Sequence, residues 1–262
     1  MSGDVELYHE VHGEGEPLLL IHGSLGGVQS WPAQLPALTE KYRVYVVEER
    51  GRGHTPDVPG PFHYDDMADD TIAFIERVVG GPAHLVGASD GGIISLLTGL
   101  RRPDVVRRMV VIGANFHHDA LLEDAGWSDL DPNAPWLEGP RARYAAASPD
   151  GPEHWPEIVR KVTEMGNAEP ELTTTDLAAI GVPVLVMAGD DDAMRLEHAV
   201  ELYEALPQGQ LAIVPGTSHL CFMEKPALVN RLILDFLAED LPPQTMLPVR
   251  RRSAKSIVRA DD

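Results

Sequence analysis

The sequence predicts an α/β fold in which a mostly parallel central sheet is flanked by helices. Short apolar runs alternate with amphipathic stretches along most of the 262 residues. Each apolar run is four residues long, as expected for parallel strands that are covered on both faces. The chain also has 44% hydrophobic residues, enough to bury one large core. These three observations favour one α/β core over a repeat protein or a disordered chain.

The predicted strands are six apolar runs. They lie at residues 18–21, 44–47, 83–86, 109–112, 184–187 and 211–214. Before them, residues 5–12 alternate between apolar and polar side chains, which predicts an antiparallel edge strand or a short hairpin.

The predicted helices lie between these strands and have apolar residues at helical spacing. They cover residues 64–79, 93–100, 196–206 and 228–237. The first begins with several acidic residues, where the helix dipole favours negative charge. Strand and helix therefore alternate as in a sheet connected by crossover helices.

Residues 115–177 break this alternation because they contain no apolar run typical of a strand. A bare loop of this length is uncommon in a compact domain, so we expect a small helical cap inserted after the sixth strand. The predicted division is therefore a core formed by residues 1–114 and 178–240, a cap at 115–177 and a basic C-terminal tail at 241–262.

The charge of the chain limits its partners. There are 21 Lys and Arg against 41 Asp and Glu, a formal charge of −20 that would repel nucleic acid. The tail has five basic and two acidic residues, which we interpret as a solvated segment. The first twenty residues of the chain are acidic where a signal peptide would be basic and lack an extended apolar run. We therefore expect a cytoplasmic monomer or homodimer that binds a small-molecule substrate but no membrane.

Cysteine usage and histidine placement limit the chemistry further. Cys221 is the single cysteine, so neither an intramolecular disulfide nor a thiolate zinc cluster can form. His117 and His118 precede Asp119, but neighbouring histidines on a helix point about 100° apart, and we expect them to be solvated or packed. We therefore predict no metal and no cofactor.

A candidate nucleophile lies between a predicted strand and a predicted helix. Residues 87–91 read Gly-Ala-Ser-Asp-Gly and fit the G-x-S-x-G pattern. In that context the chain makes a sharp turn that exposes Ser89 at the carboxyl end of the sheet, and the glycines avoid collisions. Ser89 is the predicted nucleophile.

A serine hydroxyl needs a base, and that base needs an orienting carboxylate. His219 follows the run at 211–214 and so lies at the same sheet edge as Ser89. Asp190, Asp191 and Asp192 follow the run at 184–187, and we choose Asp192 because it is far enough beyond the strand to reach the loop of His219. The order Ser, Asp, His along the chain is that of one of the three serine-triad folds.

Two backbone amides are expected to stabilise an oxyanion. Residues 22–27 read His-Gly-Ser-Leu-Gly-Gly after the first apolar run. The amide of Ser24, with Leu25 as the fallback, would act together with the amide of Asp90. His22 is expected to hydrogen-bond within this loop instead of acting as a second base.

The substrate pocket is the least determined part of the prediction. Three of the four tryptophans lie in the predicted cap, where they either line an apolar pocket or only pack the cap onto the sheet. The candidate substrate-binding residues are Asp90, Trp31, Asn115, Phe116, Trp127, Trp136 and Trp155.

These motifs resemble the α/β-hydrolase fold over residues 4–240. HGSLGG resembles its oxyanion loop, GASDGG its nucleophile elbow, GDDD its acid turn and GTSH its histidine loop. Residues 48–55 resemble the family's D-x-R-G-x-G-x-S loop, with Glu48 and Thr55 replacing Asp and Ser. The elbow and residues 113–115 are most similar to the biphenyl-hydrolase-like or valacyclovir hydrolase group of esterases. That resemblance implies that Asp90 contacts a substrate ammonium group; the alternative is a solvated carboxylate at the helix start.

The expected function is cleavage of a carboxylic ester, lactone or thioester of a small, largely apolar substrate through an acyl-enzyme. Carbon–carbon bond hydrolysis and cofactor-free haloperoxidase or perhydrolase chemistry are alternatives that use the same triad. A ligand-binding receptor on a hydrolase scaffold is the alternative of a different class.

Overall fold

A seven-stranded sheet organises the protein. The structure is a computed structural model that describes residues 5–238 and residue 246. The strands in this part of the chain are β1 (His9–His12), β2 (Glu16–Ile21), β3 (Tyr42–Val47), β4 (Ala83–Ala88), β5 (Val106–Ile112), β6 (Val184–Asp191) and β7 (Gly209–Ser218). Their order across the sheet is β1-β3-β2-β4-β5-β6-β7. Each of the six predicted apolar runs lies within one of the strands β2 to β7.

All neighbouring strands are parallel except β1, which pairs antiparallel with β3 at the edge of the sheet. Because residues 5–8 form no strand, the segment predicted as an edge strand or a hairpin contributes one strand. The long insertion consequently follows the fifth strand, β5, and not the sixth. The predicted α/β class and mostly parallel sheet are confirmed.

The continuous apolar runs follow from burial of both sheet faces. Leu19 and Ile21 of β2 belong to one buried cluster, whereas Leu18 and Leu20 belong to the other. Successive side chains of a strand point to opposite faces, so a strand covered on both sides is mostly apolar along its length.

The helices cover both faces. They are α1 (Leu35–Leu38), α2 (Tyr64–Phe74), α3 (Asp90–Arg101), α4 (Glu138–Ala147), α5 (Trp155–Ala168), α6 (Thr174–Ala178), α7 (Leu196–Ala205), α8 (Cys221–Glu224) and α9 (Pro226–Ala238). The cluster on one face contains residues of α2, α3 and α7, and the cluster on the other contains residues of α1, α8 and α9. Helix α2 continues as a π-helical turn to Val79 and ends at Gly80, which has a left-handed φ of 76°.

The segment between β5 and β6 contains α4, α5, α6 and several short 3₁₀ turns. A buried ion pair attaches it to the rest of the protein: Lys161 Nζ of α5 lies 2.7 Å from Asp57 Oδ2, in the loop after β3. His154 Nε2 lies 2.7 Å from the same carboxylate oxygen. Apart from the exposed Met246, the predicted basic tail lies outside the described residues. Within those residues, no helix combines the length and the apolar character that crossing a membrane requires.

Candidate active site

Ser89 occupies a strained turn between β4 and α3. Its φ of 54° and ψ of −121° make it the single non-glycine residue with a positive φ in the described part of the chain. A Cβ on Gly87 would lie 2.1 Å from the carbonyl oxygen of Gly91, and a Cβ on Gly91 would lie 2.0 Å from that of Ile21. The two glycines therefore permit the close packing that holds Ser89 in this conformation.

His219 and Asp192 form a partly buried hydrogen-bonded pair at the same edge of the sheet. His219 Nδ1 lies 2.7 Å from Asp192 Oδ1, and the side chains are 13% and 3% exposed. The amide of Gly189 donates to Asp192 Oδ2 at 3.2 Å, which fixes the carboxylate. Because an ionised carboxylate only accepts hydrogen bonds, His219 Nδ1 carries the proton and its Nε2 is left as an acceptor.

Gly113 makes room for the imidazole. It follows β5 with a φ of 57°, and a Cβ there would lie 2.8 Å from both Cε1 and Nδ1 of His219. A side chain at this position would displace the ring, so Gly113 is part of how the site is built.

The two neighbouring acidic residues have other environments. Asp190 Oδ1 accepts a hydrogen bond from the amide of Thr217 at 3.1 Å, which lowers the pKa of Asp190. Asp190 is exposed, and its hydrogen bond fastens the residues before His219 to the end of β6. Asp191 is exposed at the end of the strand.

The loop after β2 is held by His22. The amide of Glu49 donates to His22 Nε2 at 3.1 Å, so His22 Nδ1 carries the proton that it donates to the carbonyl of Gly23 at 2.7 Å. Burial lowers the pKa of His22 to about 4. His22 is therefore neutral at pH 7, both ring nitrogens are engaged, and it hydrogen-bonds within the loop as expected.

Ser24 is adjacent to this fixed carbonyl. Gly23 O also accepts from the amide of Gly26 at 3.0 Å. In a planar trans peptide the carbonyl and the following N–H point in opposite directions, so fixing Gly23 O also fixes the direction of the Ser24 amide. A Cβ on Gly23 would lie 3.1 Å from Ser89 Cβ, which places this peptide beside the nucleophile elbow.

Asp90 opens helix α3, so its amide lies outside the helical hydrogen-bond ladder. Its side chain is buried, and Tyr64 donates its hydroxyl to Asp90 Oδ1 at 2.8 Å. Arg52 Nη2 lies 3.9 Å from Asp90 Oδ2. Within the described residues, Asp90 Oδ2 accepts no hydrogen bond although it is buried.

One cavity contains these groups. It includes about 490 Å³ of space, some of it open to solvent, and Ser24, Ser89, Asp90 and His219 all line it. Its other lining residues are Tyr64, Asn115, Leu121, Trp127, Leu130, Val162, Thr163, Gly166, Glu169 and Met194. Polar groups lie at the elbow, and the insertion supplies most of the apolar surface.

The predicted pocket residues divide into two groups. Asp90, Asn115 and Trp127 line the cavity, and the Trp127 ring centroid lies 6.1 Å from that of His219. The other four do not line it, as described next. Side-chain type alone could not separate the two groups, because both contain tryptophan.

Trp31 is fully buried in the cluster on the opposite face, where it packs against Phe222. Phe116 stacks on His198 with ring centroids 4.0 Å apart. Trp155 is buried and donates to the carbonyl of Pro132. Trp136 is 56% exposed and contacts the edge of Trp127. These four are packing or surface residues here.

The sequence did not identify several lining residues. Val162 and Thr163 lie on α5, and Glu169 follows it. Glu169 Oε2 accepts from the amide of Tyr64 at 3.0 Å, which joins the insertion to the start of α2. No short motif marks these positions; only the cap prediction indicated that the insertion would contribute to the pocket.

His117 and His118 differ from the helical arrangement that we assumed. His117 has an extended backbone, and the two rings stack with centroids 4.6 Å apart. Ligand atoms of these residues and Glu171 lie within 4.8 Å of one another. Tetrahedral zinc with Zn–N distances of about 2.0 Å needs ligand atoms about 3.3 Å apart, so side-chain movement would be required to close the group around an ion.

Comparison with known proteins gives the family. The model of the "Alpha/beta hydrolase family" matches residues 18–232, so the chain belongs to this family. At 27% identity, covering 91% of this chain and 97% of the relative, it is similar to "Putative carbamate hydrolase RutD" of Azorhizobium caulinodans.

Two solved structures are also similar. One is a meta-cleavage product hydrolase, CumD, from Pseudomonas fluorescens, with a TM-score of 0.74, 25% identity and coverage of 90% of this chain and 95% of that one. The other is the carboxylesterase CesB from Bacillus subtilis, with a TM-score of 0.70, 26% identity and coverage of 90% and 92%. Their names cover several reactions, so family membership alone leaves the substrate open.

Proposed function

We propose that this protein is a serine hydrolase that cleaves a carboxylic ester or a related acyl bond of a small substrate through an acyl-enzyme. The observation that carries the proposal is the shared cavity of Ser89, with its strained backbone, and the His219–Asp192 pair. A positive φ in a non-glycine residue costs free energy, and such strain is concentrated at functional sites.

In the proposed mechanism, His219 Nε2 takes the proton from Ser89 as its Oγ attacks the substrate carbonyl carbon. The negative charge that forms on the carbonyl oxygen is stabilised by the amides of Ser24 and Asp90. The bond to the leaving alcohol then breaks, and His219 gives its proton to that alcohol. Water attacks the acyl-enzyme with the same proton transfers, which releases the acid and restores Ser89.

The insertion acts as a cap in this proposal. Its residues Leu130 and Val162 form part of the cavity surface facing the elbow. The substrate would place an apolar body against this surface and its reacting carbonyl beside Ser89. We further propose the core, cap and tail division given by the sequence as the functional organisation of the chain.

Hydrolysis of p-nitrophenyl acetate and butyrate by the wild type and Ser89→Ala tests the proposal. We expect the variant to lose activity to the level of the uncatalysed reaction while its circular dichroism spectrum and melting temperature stay near those of the wild type. Ser148→Ala, on the insertion away from the cavity lining, serves as the control and should retain activity. Undiminished turnover by Ser89→Ala would refute the nucleophile assignment.

Carbamate hydrolysis is a second candidate, favoured by the buried Asp90 Oδ2 that accepts no hydrogen bond in the described residues. A carbamate carries an N–H donor on the reacting carbonyl, and the similar proteins named as carbamate hydrolases agree with this class. Arg52 already balances the negative charge of Asp90. An uncharged donor therefore suits the site better than the ammonium group that the resemblance implied.

Two isosteric substrates separate these candidates. p-Nitrophenyl acetate has a methyl group on the carbonyl carbon, whereas p-nitrophenyl carbamate has an amino group of similar size there. A carbamate preference that disappears in Asp90→Asn would support the second candidate, whereas equal losses for both substrates would argue against it. The same assay can be extended to a panel of esters, carbamates, lactones and thioesters. Tight binding of a ligand with negligible turnover of every substrate in this panel would favour the receptor alternative.

A further inference from the structure

Arg52 is buried in the loop after β3, and no step of the proposed mechanism uses it. It is 2% exposed, and its guanidinium carbon lies 4.5 Å from the centroid of the Phe62 ring. Burying a guanidinium costs free energy unless its donors are paired, so the partners of this side chain indicate its role.

The guanidinium contacts both proposed oxyanion residues. Arg52 Nε donates to the carbonyl of Ser24 at 2.9 Å, and its Nη2 lies 3.9 Å from Asp90 Oδ2. Its Nη1 donates to the carbonyl of Arg50 at 2.7 Å, which anchors the guanidinium to its own loop. One planar group thus connects the loop after β2 to the first residue of α3.

The contact with Ser24 completes the restraint on that residue. His22 fixes the peptide between Gly23 and Ser24, and Arg52 fixes the next peptide through the carbonyl of Ser24. With both flanking peptide planes held, the backbone dihedrals of Ser24 are defined. The direction of the fallback donor, the amide of Leu25, is set by the same bond because it shares a peptide with Ser24 O.

We propose that Arg52 is a positioning residue that aligns the Ser24 and Asp90 amides with each other before substrate binds, an inference that rests on the proposed function. Stabilisation of an oxyanion depends on donors that are already oriented, because reorientation during the reaction would reduce the benefit. Arginine suits this role since its fixed fork reaches several partners in one plane, whereas lysine offers a single point charge.

The test compares Arg52→Met with Arg50→Met. Arg50 is 4% exposed in the same loop, and its guanidinium pairs with Asp70 and Asp66 without contacting Ser24 or Asp90. Both variants lose a buried guanidinium and leave buried carboxylates behind, so both are expected to be destabilised. Arg52→Met alone should impair the proposed oxyanion site.

The readout is the affinity for an alkyl boronic acid, measured beside the affinity for butyrate. The boronic acid adds to the Ser89 hydroxyl and becomes tetrahedral, with an oxygen in the oxyanion position, whereas butyrate binds without forming that adduct. For Arg52→Met we expect affinity for the boronic acid to fall about 10- to 100-fold more than affinity for butyrate, with a similar fall in kcat for p-nitrophenyl butyrate. For Arg50→Met the two affinities should change together.

Arg52→Lys provides a second variant if Arg52→Met does not fold. It keeps a cation near Asp90 but loses the rigid fork, so we expect an intermediate loss of boronic acid affinity relative to butyrate. Proportional changes of both affinities in the Arg52 variants would overturn the proposal. A wild type that neither turns over esters nor binds the boronic acid would instead refute the proposed function.

Discussion

The two walls of the cavity are built differently. The core wall contains Ser89, His219 and the Ser24 amide, each held by backbone geometry or by hydrogen bonds to neighbouring elements. The insertion wall is more apolar: Leu130 and Val162 contribute surface without a polar side-chain group, beside the polar side chains of Thr163 and Glu169. In the proposed function, the core wall therefore determines reactivity and the insertion wall determines which substrates fit.

Among the variants that keep Ser89, the largest effect is expected on the core wall, from Asp192→Asn. The amide cannot replace the charge that stabilises a protonated His219, and it favours the wrong tautomer, so kcat should fall by about 10⁴-fold. Steady-state kinetics with p-nitrophenyl butyrate measure this. Asp191→Asn, one residue earlier and exposed, is the matched control and should stay within about twofold of the wild type. Equal effects of the two changes would contradict the assignment of Asp192.

A smaller loss is expected from Gly113→Ala. The added Cβ would lie 2.8 Å from the His219 ring, and displacement of the base should lower kcat by about 10²-fold. Gly126→Ala in the insertion is the control, because Gly126 also has a positive φ, 71°, but no heavy atom within 4 Å of the added Cβ. Both variants therefore carry similar backbone strain, about 1 kcal/mol. Loss of activity in Gly126→Ala as well would show that strain, and not the clash, is responsible.

On the insertion wall, Val162→Ala should change selectivity more than reactivity. Removing two methyl groups from the cavity surface should shift the preference toward longer esters by about 3- to 10-fold in kcat/KM, with kcat for acetate nearly unchanged. Val159, equally apolar and buried on the same helix, does not line the cavity. Val159→Ala should cost comparable stability without altering the preference among p-nitrophenyl esters of increasing acyl and alcohol length.

The smallest expected effect concerns stability behind the core wall. Burial, together with the nearby Asp70 carboxylate, raises the pKa of Glu49 from 4.5 to about 8. The folded state then holds a proton that the unfolded state releases between pH 4.5 and 8, so this group disfavours folding increasingly as pH rises through that range. Glu49→Gln removes the ionisation and should raise the melting temperature at pH 8 by at least about 2 °C, the shift that 1 kcal/mol gives in a domain of this size.

The matching control is the same comparison below pH 4.5, where Glu49 is protonated in both states and the substitution should change the melting temperature least. A difference between the two proteins that is constant from pH 4 to 8.5 would contradict the raised pKa.

The sequence predicted the core wall better than the insertion wall, for a physical reason. Ser89 and His219 lie in turns directly after strands. The carboxyl ends of parallel strands meet at one edge of the sheet, so these turns lie at the same edge regardless of how the insertion packs. Trp31 and Trp155 show the limit of prediction from side-chain type. A tryptophan side chain suits an apolar pocket, but both of these are buried in packing positions. Which side of a helix faces the cavity depends on packing between distant segments, so Val162 and Thr163 of α5 could not be identified from the sequence. Arg52 was also missed, because its role depends on contacts with two other loops.

The most direct test of the account is covalent labelling by a fluorophosphonate, followed by intact mass measurement and peptide mapping. We expect a single stoichiometric adduct on Ser89, with the labelling rate strongly reduced in Asp192→Asn and no labelling of Ser89→Ala at any time point. An active protein that remains unlabelled, or an adduct on another residue with equal labelling of Ser89→Ala, would contradict the claim that Ser89 is the nucleophile of this cavity.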